Sequence, residues 1–265
     1  MSAALASAWW LLVLALSPVV LPMAVLTRRK ALRLMPAAGE QAGVAGAALA
    51  GEPLRLLVLG ESTAVGVGVS CMQLALAGQL AGAMSQRFSR PVAWQVCGEN
   101  GITAAKLHQR YVSQRMLSQG ALPQRVTTPA AGPHDLVVVL LGVNDTTHLS
   151  SLKRWQASLQ QIVHSLQHHA QTTADRVVFS GVPPLQHFTA LPWLFRRLLG
   201  LRAAMLDRAM REAATATGAQ YLALDMDFAA HLMAVDGYHP SAAGYRLWAD
   251  NLLLGIRLQP QGSQA

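Results

Sequence analysis

Cysteine is scarce in this chain, which has only Cys71 and Cys97 among its 265 residues. Two cysteines are too few for the disulfide framework of a small secreted scaffold. We interpret both as small apolar core residues, and a bridge between them is the less favoured alternative.

Acidic residues are also few, with 13 Asp and Glu against 21 Lys and Arg, and the formal net charge is +8. The basic residues are scattered among alanines and leucines, whereas a nucleic-acid-binding surface would need a basic stripe with interleaved aromatic residues. We therefore expect no nucleic-acid partner. An anionic membrane surface is the favoured partner for the excess positive charge.

Metal-ligand patterns are weak as well. His164 and His168 are four residues apart, but His169 stands beside them and no acidic residue is close in sequence. Such a short pattern is more typical of a solvated helix face than of a metal site. We expect neither a metal nor another cofactor.

Charged side chains are absent from residues 2–26, a segment rich in Leu and Val. About 20 apolar residues suffice to cross a bilayer, although Pro18 and Pro22 should kink or shorten a helix here. We predict that residues 1–34 form an apolar membrane-anchor or interfacial helix with a basic flank. A kinked helix packed on the rest of the protein is the alternative.

The basic flank follows the apolar segment and nothing basic precedes it, since it comprises Arg28, Arg29, Lys30 and Arg33. A secretory signal carries its positive charge first, so cleavage is disfavoured. The positive-inside rule then predicts a bacterial-type inner-membrane anchor with the remaining chain on the cytoplasmic side. Residues 35–52, rich in Ala and Gly, are predicted to be a linker, and residues 259–265 a disordered tail.

Five apolar segments alternate with helical patterns in residues 53–258. They are Leu54–Leu59, Val92–Cys97, Leu136–Leu141, Arg176–Val182 and Gln220–Leu224. Continuous apolar runs of this length are typical of parallel strands covered by helices on both faces. We predict one α/β domain, a three-layer α/β/α sandwich with a five-stranded parallel sheet, preceded by the N-terminal apolar helix.

Ser62 follows the first of these strands, in the sequence GEST after Gly60. Ligands bind at the carboxyl ends of strands in open α/β sheets. We expect the next helix, about residues 69–88, to direct its N-terminus at the same place and to stabilise negative charge beside Ser62.

Asp236 and His239 lie three residues apart in DGYHP, on a predicted turn. This spacing lets Asp236 reach one ring nitrogen of His239 while the other nitrogen faces Ser62. A hydroxyl, an imidazole and a carboxylate are the groups that nucleophilic serine catalysis requires.

Two further polar blocks follow strands and could supply donors to an oxyanion. Gly101 lies in ENGIT after the second strand, where a backbone N–H can approach a substrate because no side chain projects from the Cα. Asn144 lies in GVND after the third strand and offers a side-chain amide.

The four blocks GEST, ENGIT, GVND and DGYHP occur in the order and approximate spacing of the SGNH hydrolases, the GDSL-type esterases and lipases, which the chain resembles over Leu54 to Leu254. The resemblance implies a flavodoxin-like arrangement of the sheet, a triad of Ser62, His239 and Asp236, and an oxyanion hole from Ser62, Gly101 and Asn144. Glu61 stands where that family usually has Asp, and we expect it to belong to the turn rather than to the triad.

The function that follows from the resemblance is a serine esterase or acylhydrolase, which cleaves small-molecule or lipid esters through an acyl-enzyme on Ser62. Acyl transfer to a sugar or lipid acceptor is an alternative that uses the same site. A nucleotide- or flavin-binding flavodoxin-like protein is an alternative of another class, but the first loop lacks both GxxxxGK[ST] and GxGxxG.

An apolar segment with interleaved arginines, Leu191–Leu206, precedes the fifth strand. We interpret it as an amphipathic helix whose apolar stripe is most often core. Because it starts beyond the carboxyl end of a strand, Trp193 and Phe195 are also candidates for an acyl pocket or for contact with lipid.

Overall fold

A computed structural model describes residues 3–113, 133–170 and 172–258. The α-helices are α1 (Ala3–Ala15), α2 (Ser17–Lys30), α3 (Leu76–Phe88), α4 (Ala104–Leu107), α5 (Val143–Thr147), α6 (Leu152–His169), α7 (Trp193–Thr217) and α8 (Ala242–Gly255). The strands are β1 (Ala42–Ala45), β2 (Leu54–Gly60), β3 (Val92–Gly98), β4 (Leu136–Leu140), β5 (Val177–Ser180) and β6 (Gln220–Leu222). Short 3₁₀ segments cover Met72–Leu74, Ala174–Arg176, Leu185–His187 and Ala230–Leu232, and a π-helical turn covers His108–Val112.

The strands form one sheet in the order β1-β3-β2-β4-β5-β6. The five expected strands are parallel and in the flavodoxin-like order, so the predicted α/β sandwich is confirmed. Every residue of β4 is buried, because helices cover both faces of the sheet. One apolar core lies between the sheet and α4, α6 and α7, and the other lies between the sheet and α3 and α8.

A sixth strand lies where a linker was expected. β1 pairs antiparallel with β3 at the edge of the sheet, with Ala42 opposite Gln95 and Ala45 opposite Val92. The linker prediction for residues 35–52 is therefore wrong over this strand. The short Ala/Gly-rich segment has little propensity of its own, and it is a strand because β3 offers an open edge.

The N-terminal segment consists of two helices instead of one. α1 and α2 meet at an angle of about 80°, and the break lies at Leu16, just before Pro18 in the first turn of α2. Within the described ranges no single helix is long and apolar enough to cross a membrane, although this bent pair passes that test together.

The N-terminal helices contact the sandwich at α7. Trp9 is buried, and its indole N–H donates to the carbonyl oxygen of Leu198 at 3.0 Å. The guanidinium of the buried Arg202 lies 5.1 Å from the centroid of the Trp9 ring, a cation–π contact. The predicted tail at 259–265 lies outside the described residues.

Candidate active site

Ser62 lies at the carboxyl ends of the strands, beside β2 and β4. The connections from these two neighbouring strands lead to opposite sides of the sheet. Ser62 is 8% exposed, and it follows Gly60, the last residue of β2. A Cβ atom on Gly60 would collide with the carbonyl oxygen of Leu140 at the end of β4. The glycine therefore permits the close approach of the two strands beside Ser62.

No regular helix follows Ser62 directly. α3 begins at Leu76, and turns with a 3₁₀ segment fill the interval. The prediction of a helix from about residue 69 is wrong because Cys71 and Ala75 are extended, with ψ angles of 158° and 169°, so the regular helix begins only at Leu76. A helix dipole thus does not act on Ser62 from that direction.

His239 and Asp236 lie beside Ser62, 177 and 174 positions away in the chain. The His239 Nε2 atom is 2.9 Å from the Ser62 Oγ atom. The His239 Nδ1 atom is 2.6 Å from the Asp236 Oδ2 atom. The structure therefore brings the three residues singled out in the sequence into one hydrogen-bonded chain.

The histidine loop is held against the serine turn by two contacts. A Cβ atom on Gly68 would lie 2.5 Å from the carbonyl oxygen of Pro240, so only glycine permits this approach. The buried Tyr245 hydroxyl on α8 donates to the carbonyl oxygen of Val67 at 2.7 Å. The close approach of Pro240 explains the glycine at position 68.

Asp236 is buried but has three hydrogen-bond donors. Its Oδ1 atom accepts from the backbone N–H groups of Tyr238 at 3.0 Å and His239 at 3.1 Å, and the His239 ring is its third partner. Burial by itself would raise the pKa of Asp236, but these hydrogen bonds hold that pKa below its ordinary value. The carboxylate is therefore ionised at neutral pH and orients the imidazole.

Asn144 and Gly101 lie at the same edge of the sheet. Asn144, in the first turn of α5, lines the cleft together with Ser62 and His239. Gly101 has a φ of +85° and is exposed, so the glycine is needed for the backbone conformation itself. In the described part of the chain, the backbone N–H groups of Ser62 and Gly101 have no hydrogen-bond acceptor.

Glu61, next to Ser62, is only 2% exposed. Its two oxygens accept hydrogen bonds from the backbone N–H groups of Val143 at 2.9 Å and Asn144 at 2.8 Å. Burial raises the pKa of Glu61 to about 8, and the two N–H donors act against that rise. As expected, this acid lies in the turn, and it is not part of the hydrogen-bonded chain of Ser62, His239 and Asp236.

A cleft of about 190 Å³ opens over Ser62, Asn144 and His239. Its walls are mainly apolar and include Pro183, Phe188, Leu224, Met226, Phe228, Met233 and Trp248. The structure places neither Trp193 nor Phe195 in this cleft. Trp193 is 67% exposed on α7, and Phe195 is packed in the core.

Three of the wall residues were missed in the sequence although they leave a signal there. Leu224, Met226 and Phe228 are half-buried and alternate with exposed Asp225 and Asp227 just after β6. This period of two is typical of an extended segment with one apolar face. The segment was overlooked because it lies beyond the end of the sheet.

Metal-ligating side chains do not cluster in residues 3–113, 133–170 and 172–258, where no group of three or more His, Cys, Asp and Glu residues could hold an ion. Cys71 and Cys97 are both free, and Cys97 is buried. Burial raises the pKa of the Cys97 thiol to about 12. This agrees with the interpretation of Cys97 as a core residue.

The chain is similar in sequence to a known esterase and in fold to solved esterases and lipases. A GDSL-like esterase of Mycobacterium tuberculosis is 27% identical over 212 residues, which are 77% of this chain, and the chain spans only 62% of that relative. The lipase/acylhydrolase of Enterococcus faecalis has a TM-score of 0.55 at 17% identity and covers 79% of this chain and 100% of its own. The psychrotrophic esterase EstA of Pseudoalteromonas sp. has a TM-score of 0.52 at 17% identity, with coverage of 76% and 96%.

These structural likenesses, at such low identity, concern the fold. The sequence model of the GDSL-like Lipase/Acylhydrolase family matches residues 58–247, which is most of the chain and includes all the candidate site residues from Ser62 to His239. The chain therefore belongs to the GDSL-like lipase/acylhydrolase family.

Proposed function

We propose that the protein is a serine esterase or acylhydrolase that cleaves carboxylic esters through an acyl-enzyme on Ser62. The observation that carries the proposal is the hydrogen-bonded chain from the Ser62 Oγ atom through His239 to Asp236, with distances of 2.9 and 2.6 Å. The family membership and the name of the mycobacterial relative, an esterase, agree with this reaction.

In the proposed reaction, the Ser62 oxygen attacks the ester carbonyl carbon while His239 Nε2 takes the hydroxyl proton. Asp236 stabilises the imidazolium that forms. His239 then gives the proton to the alkoxide as the ester C–O bond breaks, and the alcohol leaves. Water, deprotonated by His239, attacks the acyl-enzyme, and the release of the carboxylic acid returns the proton to Ser62.

The oxyanion of each tetrahedral intermediate would receive hydrogen bonds from the N–H groups of Ser62 and Gly101 and from the side chain of Asn144. Support comes from the two N–H groups, which lack acceptors in the described residues, and from the place of Asn144 in the cleft. Donors that point to the developing charge before the reaction need no reorganisation.

The test is a series of p-nitrophenyl esters from acetate to palmitate with wild-type protein and Ser62→Ala. Loss of the nucleophile should lower kcat by about 10⁴-fold or more. Ser70→Ala is the matched control, because Ser70 is exposed and lies eight residues further along the same loop. A Ser62→Ala protein that retains most of the hydrolysis would overturn the assignment. Adding acceptor alcohols to the same assay separates hydrolysis from acyl transfer.

We further propose that the N-terminal helices attach this enzyme to the surface of an anionic membrane. Large apolar side chains on α1 and α2 are exposed to solvent, namely Leu5, Trp10, Leu11, Leu12, Leu14, Val19, Leu21, Val25 and Leu26. Arg28, Arg29 and Lys30 follow in the last turn of α2. An apolar face beside a basic cluster is the pattern of an interfacial helix, and Trp9 holds the pair on the enzyme.

A further inference from the structure

The three candidate oxyanion donors come from three separate parts of the chain. Ser62 follows β2, Gly101 follows β3 and Asn144 follows β4. At least one helix and one strand separate each block from the next in the chain. Non-covalent contacts must therefore set the relative positions of the blocks. A misplacement of about 1 Å in such a group can cost about 10²-fold in rate.

Glu61 joins the first block to the third. Its carboxyl group accepts from the N–H groups of Val143 and Asn144, the first two residues of α5. These first-turn N–H groups have no acceptor within the helix, so the side chain of Glu61 takes that role. Glu61 is covalently bonded to Ser62, and Asn144 supplies the amide donor. One buried side chain therefore relates the position of the nucleophile to that of the amide.

Asp145 joins the third block to the second. It is 2% exposed, and its Oδ2 atom accepts from the backbone N–H of Ala104 at 2.8 Å. Ala104 begins α4, three residues after Gly101. The Asp145 Oδ1 atom accepts from the Ser150 hydroxyl at 2.6 Å, which holds the carboxyl group in place.

We propose that Glu61 and Asp145 are positioning residues that hold the three oxyanion donors in the geometry needed for catalysis, without touching the substrate. The inference rests on the proposed esterase function. It goes beyond that function because neither residue belongs to the triad or to the oxyanion hole.

A purely structural role would give different kinetics. Glu61→Gln keeps the length of the side chain but turns an amide NH₂ group toward one of two backbone N–H donors, so α5 must shift. We expect kcat for p-nitrophenyl acetate to fall by about 10²-fold while KM changes by less than about threefold, because an interaction made only in the transition state is lost. Glu61→Asp keeps two acceptor oxygens and should recover part of that loss.

The decisive readout is a double-mutant cycle with Asn144→Ala. In wild-type protein this substitution should lower kcat by about 10²- to 10³-fold, the cost of one oxyanion donor. In the Glu61→Gln protein the same substitution should cost less than about tenfold, because the amide is already misplaced. Additive effects, or an unchanged kcat in Glu61→Gln, would overturn the inference.

Asp135→Asn is the matched control. Asp135 accepts from the backbone N–H of Arg55 at 2.9 Å, but it lies at the opposite end of the sheet. Asp135→Asn should lower the melting temperature and leave kcat within about twofold, because this partly buried hydrogen bond lies away from the cleft. If Glu61→Gln does not fold, Ser150→Ala, which removes the donor that holds the Asp145 carboxyl group, takes its place in the cycle with the same criterion. An active Ser62→Ala protein would instead refute the esterase function itself.

Discussion

At the scale of single residues, two buried carboxyl groups at this site have pKa values shifted in opposite directions. Asp236 has the His239 ring and two backbone N–H groups as partners, and its pKa is lowered. Glu61 has two backbone N–H groups and lies near Asp145, and its pKa is raised to about 8. Burial is the largest cause of the rise at Glu61, and the nearby Asp145 adds to it, whereas at Asp236 the hydrogen bonds from the His239 ring and two backbone N–H groups outweigh burial.

The raised pKa of Glu61 predicts how stability depends on pH. Between the ordinary value of 4.5 and about 8, the folded protein holds a proton on Glu61 that the unfolded chain has released. The free energy of unfolding should therefore fall as pH rises through this range. Glu61→Gln cannot titrate, so its urea-unfolding midpoint should fall less between pH 5 and pH 8 than that of wild-type protein.

The difference between the pH profiles of the two proteins reports on Glu61, because Asp145, the charged group that faces it, is present in both. Asp145 itself has a pKa raised mainly by burial, which gives both proteins a slope of the same sign. Parallel pH profiles for wild-type protein and Glu61→Gln would contradict the prediction.

Single residues were also what the sequence predicted best. Short polar blocks after apolar strands contain Ser62 and Asn144, and a predicted turn contains Asp236 and His239. The local sequence pattern therefore indicates that they lie at one edge of the sheet. The partners of Glu61 are 82 and 83 residues away, at backbone groups that carry no sequence signal. Such a contact follows only from the three-dimensional packing of α5 beside β2.

At the scale of elements, burial explains which strands were predictable. β2 and β4 are continuous apolar runs because helices cover both faces. β1 has four small residues and exists because the edge of β3 is open, so its own composition does not indicate it. The start of α3 was misplaced because Cys71 and Ala75 are extended and only a short 3₁₀ segment lies between them, which the composition of the segment does not indicate.

The extended segment after β6 forms a wall of the cleft and should determine acyl-chain preference. Phe228 lies in this wall, and its ring is 5.8 Å from that of Phe188 across the cleft lining. Phe228→Ala should lower kcat/KM for p-nitrophenyl octanoate relative to acetate by about tenfold or more, because an apolar pocket gains about 1–3 kcal/mol per methylene group that it contacts.

Trp193→Ala is the control for this element. Trp193 is the aromatic residue that the sequence suggested for an acyl pocket, but it is largely exposed and outside the cleft. The ratio of octanoate to acetate hydrolysis should be unchanged in Trp193→Ala. A change in that ratio equal to the one in Phe228→Ala would show that the cleft wall does not set chain-length preference.

At the scale of the whole molecule, the N-terminal helices have two features, whereas a simple membrane anchor needs only the first. They present apolar side chains to solvent, and they are fixed to α7 by the buried Trp9 and its contact with Arg202. A bent pair attached in this way would hold the enzyme at a defined orientation on a lipid surface. The basic residues at the end of α2 would then face the headgroups.

Removing the basic cluster tests this arrangement. The triple substitution of Arg28, Arg29 and Lys30 to Gln should weaken binding to vesicles of phosphatidylglycerol and phosphatidylcholine by about 10²-fold, since each basic residue near an anionic surface contributes about 1 kcal/mol. The matched control removes the same charge at Lys153, Arg154 and Arg208, which are exposed on α6 and α7. Cosedimentation should be lost in the first variant and retained in the second, and it should decrease with added salt. An equal loss of binding in both variants would mean that net charge, and not the N-terminal helices, attracts the protein to the membrane.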